Sequence, residues 1–443
     1  MISWLLTSCG GSAPAQEEPP APASAALYPA VRCSVDDQKS WLRNHFQSWY
    51  LWAGLTPGPA PETIATVGDY FQSQLFKGND TLPADRYSGY TSTENFLRYF
   101  GEGKTLGFGL AVAGFEVSGR PNLPLRVRHV DPESPAAAAG LRRGDRIWSL
   151  NGHSASEKVS QGDYSDLNAP DEGTPLTLEY ARDGLTRTVQ LRAALYPVKP
   201  VPQHQIIEMS ATQRAGYVQV QSMLGQATEV LATAFDNFKS TGIEELVLDL
   251  RYNGGGYVSV GANLASRAAG APANGKVYAQ LNFSAAKSSY NHHYMFENPQ
   301  DWNGLRRVYV LTGPRTCSAS EQVINGLRGA GVEVVTIGAT TCGKPVGFTP
   351  RSYCGNTYSV VSFASVNALG EGRYYNGFVP TCPADDDLDR PLGDPQERLL
   401  QTALAHARNG QCPARPLSLR ASEAIVQQPL HVEPGQWQGM WWQ

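Results

Sequence analysis

Hydrophobic and polar positions divide this chain into stretches of different period. From Asp36 to about Phe100 the apolar residues recur at helical spacing. Trp41, Leu42, His45, Phe46, Trp49, Tyr50 and Leu51 form one stripe, which predicts a helix with an aromatic core face and a packed, non-ligating His45. From about 103 to 196 the pattern shortens to strands and turns, with the alternating run Leu125-Arg126-Val127-Arg128-His129-Val130 read as a strand with one buried face. Beyond residue 200, Gly216 to Val220 and Leu246 to Leu250 read as strands, the second fully buried by composition. Val230, Leu231, Ala234, Phe235 and Phe238 mark an amphipathic helix. Two further apolar runs, Val308 to Leu311 and Val334 to Gly338, bracket Val323, Ile324 and Leu327 at helical spacing. A last helix is expected from Asp394-Pro395, a cap and first-turn pair. Strands alternating with helices predict an α/β domain.

Composition changes the picture at the two ends and in the charge. Residues 10 to about 30 are rich in Ala, Pro, Ser and Glu, a solvated tether that cannot bury a core. Before it, Ile2 to Leu6 is a short apolar run leading into Leu6-Thr7-Ser8-Cys9. This resembles the lipobox of bacterial lipoproteins, in which the cysteine, here Cys9, is lipidated. The run is short and has no preceding Lys or Arg, as a misplaced start codon would leave it. The resemblance implies a lipid anchor in the cell envelope facing the periplasm, and with no aspartate after Cys9 it favours the outer membrane. Of seven cysteines, six remain after Cys9, an even number compatible with three disulfides in an oxidising compartment. Spacing does not fix the connectivity; Cys342 with Cys354 is a loop-closing pairing among the alternatives. No Cys/His cluster has zinc-ligand spacing, and no metal, nucleotide or other cofactor is implied. The formal net charge is −4 with no basic run, which argues against nucleic acid and acidic membrane surfaces as partners.

Ser318 and Lys344 carry the candidate chemistry. Ser318 opens Ser318-Ala319-Ser320-Glu321 after an apolar run and Gly313-Pro314, so it is expected on a sharp turn between strand and helix. Lys344 follows the next apolar run, within Cys342-Gly343-Lys344-Pro345. A lysine at the end of a buried strand loses solvation, and its pKa falls. It can then take the serine proton, as in Ser-Lys variants of the catalytic triad. Acyl transfer also needs oxyanion donors. The glycines of Asp249-Leu250-Arg251-Tyr252-Asn253-Gly254-Gly255-Gly256 let backbone N–H groups approach a carbonyl. Gly254, Gly255 and Ala319 are the candidate donors.

The β-rich interval contains Leu106-Gly107-Phe108-Gly109, then Ser134-Pro135-Ala136-Ala137-Ala138-Ala139-Gly140-Leu141, then Gly144-Asp145-Arg146-Ile147. In that order these resemble a PDZ domain, with Leu106, Gly107, Phe108 and Gly109 as the loop that captures a peptide carboxylate beside a strand edge. Together with Asp-Leu-Arg-x-Asn-x-Gly-Gly, Ser-Ala-Ser-Glu and Gly-Lys, the chain resembles the carboxyl-terminal processing, or tail-specific, protease family over roughly residues 100 to 408. Gly377 to Pro380 and Leu392-Gly393-Asp394-Pro395 add to the likeness.

That resemblance implies an α/β fold with a ClpP/crotonase-like peptidase core, an inserted or preceding PDZ domain and an N-terminal helical segment. With the readings of the N-terminal residues, the expected divisions are a lipoprotein signal and tether at 1–30, a helical domain at 31–102, the PDZ domain at 103–196, the peptidase domain at 197–410 and a tail at 411–443. It also implies Ser318 as nucleophile, Lys344 as general base, and proteins or peptides with apolar C-termini as partners. One departure stands out. Many family members carry Gln or Glu four residues beyond the lysine to orient it, and here that residue is Phe348. Phe348 favours the alternative of a non-proteolytic peptide-binding lipoprotein, while an intact Ser318 and Lys344 argue against it. An acyl-CoA enzyme of the crotonase type leaves the PDZ-like interval unexplained. The paired His292-His293 are expected in an exposed loop. The Trp437, Trp441 and Trp442 tail is expected to be a loose end, with docking in the PDZ groove or on the body as the alternative.

Overall fold

A computed structural model describes residues 32–56, 58–113, 125–297, 301–414 and 439–442. Cys9, the tether and Trp437 lie outside the described residues.

The apolar runs after residue 200 become a six-stranded sheet. Strands Gln203–Glu208, Arg214–Gln219, Glu245–Asp249, Arg307–Thr312, Glu333–Gly338 and Cys382–Pro383 lie side by side in that order. The first pair is antiparallel and the others are parallel. Successive side chains on a strand point to opposite faces, so both faces must be covered. Leu246, Leu248, Val308 and Val310 enter one core with helices Ala227–Thr241, Val258–Ala269 and Ala319–Gly329. Val247, Tyr309, Leu311 and Val335 enter another, closed by helix Arg398–Asn409. Burial on both faces is why these strands read as near-continuous hydrophobic runs.

A second sheet runs in the order Gly255–Tyr257, Gly439–Trp441, Val346–Phe348, Val361–Val366, Val277–Phe283 and His292–Met295. Two expectations change here. His292 and His293 are exposed, but on a strand at the sheet's edge, not in a loop. The tail is not loose at its far end, since Gly439–Trp441 is an interior strand.

The N-terminal segment shares the main core. Helix Val35–Trp49 is capped by Ser34, whose hydroxyl accepts from the Asp37 N–H at 3.2 Å. Its Leu42 and Phe46 pack in the same cluster as helices Ala227–Thr241, Val258–Ala269 and Ala319–Gly329. Strand Gly89–Ser92 pairs with Asn356–Ser359. His45 is packed, its ring stacked 4.8 Å from Trp41. Burial, then the positive Arg351, push its pKa down to about 4.

Between these parts the chain leaves and returns through the antiparallel strands Lys104–Gly107 and Ala194–Pro197. The inserted body is a sheet in the order Leu110–Ala113, Leu125–Val130, Arg146–Leu150, Pro175–Arg182, Leu185–Arg192. Helices Pro135–Ala138 and Ala155–Gln161 complete it. It has a core of its own, built from Val127, Ile147, Leu150, Leu176 and Leu178 among others. Leu110–Ala113 forms one edge of the sheet.

Six cysteines form three disulfides, with Cys33 bonded to Cys354, Cys317 to Cys342 and Cys382 to Cys412. The loop-closing Cys342–Cys354 pairing is therefore wrong. The fold brings Cys342 within 5.2 Å (Cα to Cα) of Cys317 and places Cys354 within 5.6 Å of Cys33. Sequence proximity suggested the first pairing, but two strands, Arg351–Tyr353 and Asn356–Ser359, turn Cys354 toward the N-terminal helix instead.

Candidate active site

The serine sits on the turn that its sequence context suggests. The Thr316 side chain fixes that turn, accepting from Gly313 N–H at 2.9 Å and donating to the Leu250 carbonyl at 2.8 Å. Cys317 N–H donates to the Asn253 carbonyl at 3.0 Å, and Ser320 Oγ donates to the same oxygen at 3.1 Å. Serine turn and glycine loop are thus stitched together. Ser318 caps helix Ala319–Gly329 with φ 60° and ψ −112°, a conformation that costs a non-glycine residue roughly 1–3 kcal/mol and recurs at functional sites. Its hydroxyl is buried and has no hydrogen-bond partner among the described residues.

Lys344 is tied to this turn through one carboxylate. Glu321, fully buried, accepts four hydrogen bonds. Oε2 takes Ser318 N–H at 2.9 Å and Lys344 N–H at 2.8 Å, while Oε1 takes Gly343 N–H at 2.8 Å and the Thr341 hydroxyl at 2.5 Å. Thr341 donates because a carboxylate oxygen can only accept, and its own oxygen accepts in turn from Phe378 N–H at 2.7 Å. One carboxylate oxygen therefore binds the backbone of both motif residues. The Cys317–Cys342 disulfide joins the same two loops covalently. Burial raises the Glu321 pKa, and its hydrogen bonds pull it back.

The lysine itself is buried among rings. Its Nζ lies 3.9 Å from the centroid of Phe348 and 5.3 Å from that of Tyr87. The Tyr87 hydroxyl donates to the Gly343 carbonyl at 2.6 Å, holding that ring over the lysine loop. Burial drives the Lys344 pKa from 10.5 down to about 7, against the attraction of Asp85 and Glu321. Phe348, where the family resemblance implies Gln or Glu, supplies an aromatic face, which attracts an ammonium without accepting a conventional hydrogen bond.

The glycine loop refines the expected donors. Gly255 N–H is already given to Asn253 Oδ1 at 2.9 Å, and the Asn253 amide donates to the Val220 carbonyl at 2.9 Å. Gly255 therefore shapes the loop, leaving Gly254 and Ala319 as the candidate donors. Ala319 opens its helix, where an N–H has no intrahelical acceptor. Behind the loop, Arg251 forks onto Glu397 with two bonds of 2.8 Å and reaches Asp249 at 2.9 Å. Asp386 receives Arg251 at 3.1 Å and Arg143 of the inserted domain at 2.6 Å. Arg143 also donates to the Tyr252 hydroxyl at 2.6 Å. The inserted domain is thereby keyed to the glycine loop.

Leu106, Gly107, Phe108 and Gly109 line one cavity together with Gly254 and Arg315. Gly109 has φ 71°, and a Cβ there would fall 2.0 Å from the Ser134 Cβ, so only glycine fits. Sequence reasoning left Glu321 unplaced and missed Tyr87, Asn253 and the strand Gly439–Trp441. The signal for Glu321 was its position three residues after a helix-capping serine.

Comparison with known proteins agrees with this architecture. Residues 214–373 match peptidase family S41 and residues 126–182 match a PDZ domain. The C-terminal processing peptidase of the Tetradesmus obliquus chloroplast is 30% identical over 180 residues, 38% of each chain. The carboxy-terminal processing protease of Bacillus subtilis is 25% identical over 254 residues, covering 57% of this chain and 51% of its own. The chain thus spans between about a third and a half of the curated relatives it matches. Among solved structures, a putative S41 protease from Bacteroides fragilis superimposes with a TM-score of 0.66 at 24% identity, covering 87% of this chain and all of the other. The photosystem II D1 C-terminal processing protease gives 0.51 at 20% identity, over 80% and 94% of the two chains. The chain carries a peptidase family S41 domain with an inserted PDZ domain, on the S41 protease fold.

Proposed function

We propose that the protein is a serine endopeptidase of the carboxyl-terminal processing type, working through Ser318 and Lys344. The observation that carries this reading is the shared Glu321 oxygen, which binds the backbone of both residues while burial lowers the lysine pKa. A neutral Lys344 Nζ accepts the Ser318 proton as Oγ attacks the scissile carbonyl. The resulting oxyanion is stabilised by the N–H groups of Ala319 and Gly254. The protonated lysine then gives its proton to the leaving amine, and a water repeats the sequence on the acyl-enzyme. The PDZ-like loop at Leu106–Gly109 and the edge Leu110–Ala113 hold an apolar C-terminal tail of the substrate by strand addition. Export is part of this reading. Three disulfides fit an oxidising periplasm, and a lipidated Cys9 would anchor the chain at the outer membrane. The test is cleavage of an unfolded protein with an apolar C-terminal tail against the same protein ending in Asp-Asp. Faster cleavage of the apolar form, abolished by Gly109→Val, supports tail capture; equal rates refute it.

A further inference from the structure

The segment Gly439–Trp441 lies as a middle strand between Gly255–Tyr257, at the glycine loop, and Val346–Phe348, at the lysine loop. Gly439 N–H donates to the Gly254 carbonyl at 2.9 Å, and Trp442 N–H donates to the Phe348 carbonyl at 3.1 Å. The two flanking strands pair with this segment, not with each other. Without it they would border a slot about 10 Å wide, two strand spacings. The slot is walled by the proposed catalytic elements. A Cβ built on Gly255 would fall 2.1 Å from the Gly439 carbonyl oxygen and 3.1 Å from the Ala319 nitrogen, so the segment's carbonyl and a candidate oxyanion donor face one spot. Met440 is fully buried, its sulfur accepting from the Gln322 amide at 3.3 Å, one helical turn beyond Ser318. Trp441 packs 4.4 Å from Phe100 and 5.6 Å from Phe348, the ring that faces the lysine.

We propose that residues 439–442 occupy the slot in which a substrate strand would lie, as an intramolecular competitor that substrates must displace. This rests on reading Ser318 and Lys344 as a peptidase dyad. The same geometry assigns a preference to the slot. Glycine suits the 439 position, where a Cβ would fall 2.4 Å from the segment's own Trp441 ring and 2.8 Å from Phe348, so a side chain there would have to displace both rings. An unbranched apolar residue follows at 440 and an aromatic one at 441. A segment of the same chain competes at an effective concentration on the order of millimolar, enough to hold the slot against dilute substrate.

The experiment uses a variant lacking residues 433–443, with and without Ser318→Ala, and a fluorescein-labelled synthetic peptide of sequence 436–443. The truncated Ser318→Ala protein should bind the peptide saturably, the full-length Ser318→Ala protein at least tenfold more weakly, and a peptide with Gly439→Val not at all. Cleavage of casein by the truncated, Ser318-containing protein should exceed that of the full chain at least fivefold, and added peptide should reverse the gain. A truncated protein that folds but neither binds the peptide nor changes in rate overturns the proposal. So does one that loses activity and regains it with peptide, which would make the segment a fixed part of the site. If truncation prevents folding, Gly439→Val in the full chain excludes the segment sterically and should give the same gain; no gain in a folded Gly439→Val protein overturns the proposal. Peptide binding without any casein cleavage, in either length, would keep the slot and its occupant while removing the peptidase reading.

Discussion

Lys344 sets the clearest quantitative expectation. Its fall from 10.5 to about 7 means that the site moves the balance toward the neutral amine by about 5 kcal/mol relative to water. Asp85 and Glu321 favour the ammonium. So does the Phe348 face at 3.9 Å, by ~2 kcal/mol or less. Desolvation outweighs all three. At pH 7 roughly half of the lysines are then neutral, against on the order of one in three thousand at the ordinary pKa. The kcat/KM for a fluorogenic peptide, measured from pH 5 to 9.5 at constant ionic strength, should rise about tenfold per unit below pH 7 and level off above it. In Phe348→Gln the amide oxygen can accept from Nζ and stabilise the charged form. The limb should then move up by about one unit, and the rate at pH 7 should fall from about one half to about one tenth of the plateau. A flat dependence, or a limb that stays near 7 in Phe348→Gln, would refute the argument that burial tunes this lysine.

Other expectations follow from the groups around the dyad. All four partners of Glu321 donate to it, so Glu321→Gln must face at least one donor with its NH2. That variant should lose about 2–4 kcal/mol of stability and at least tenfold in kcat, read by urea unfolding and steady-state kinetics; unchanged kcat would show that the carboxylate does not position the site. Replacing both Cys317 and Cys342 by Ser opens a crosslink spanning 25 residues, for which chain entropy gives a loss of about 3–4 kcal/mol. Equal unfolding midpoints for wild type and double variant would contradict that crosslink. His45 has a folded-state pKa lowered from 6.5 to about 4, so between those values the unfolded chain binds the proton and the folded chain does not. Stability is therefore full above about pH 6.5 and falls as pH drops toward 4, by up to about 3 kcal/mol. His45→Phe should remove that part of the acid sensitivity in melts at pH 4.5 and 7, and an unchanged difference between the two melts would argue against it.

The parts legible in the sequence were those with a local cause. Strands buried on both faces, such as Glu245–Asp249 and Arg307–Thr312, announce themselves as unbroken apolar runs. Ser318 was legible because a strand, a turn and a helix follow one another within a few residues. Relations between distant segments were not. Cys33 meets Cys354 across 321 residues, and nothing in spacing selects that pair over Cys342 with Cys354. The engaged Gly255 N–H depends on where the Asn253 side chain turns. Gly439–Trp441 looks like a loose apolar end because its strand partners lie far away in the chain. Phe348 reads as a missing polar helper until the ring is seen against the lysine.

The central claim is that Ser318 and Lys344 together cleave peptide bonds. Purified wild type, Ser318→Ala and Lys344→Ala should be compared for cleavage of an unfolded protein at pH 8, with circular dichroism melts of each. The wild type should cleave it, with at least a thousandfold loss in both variants, each still folded. Residual rates near wild type in either folded variant would contradict that claim.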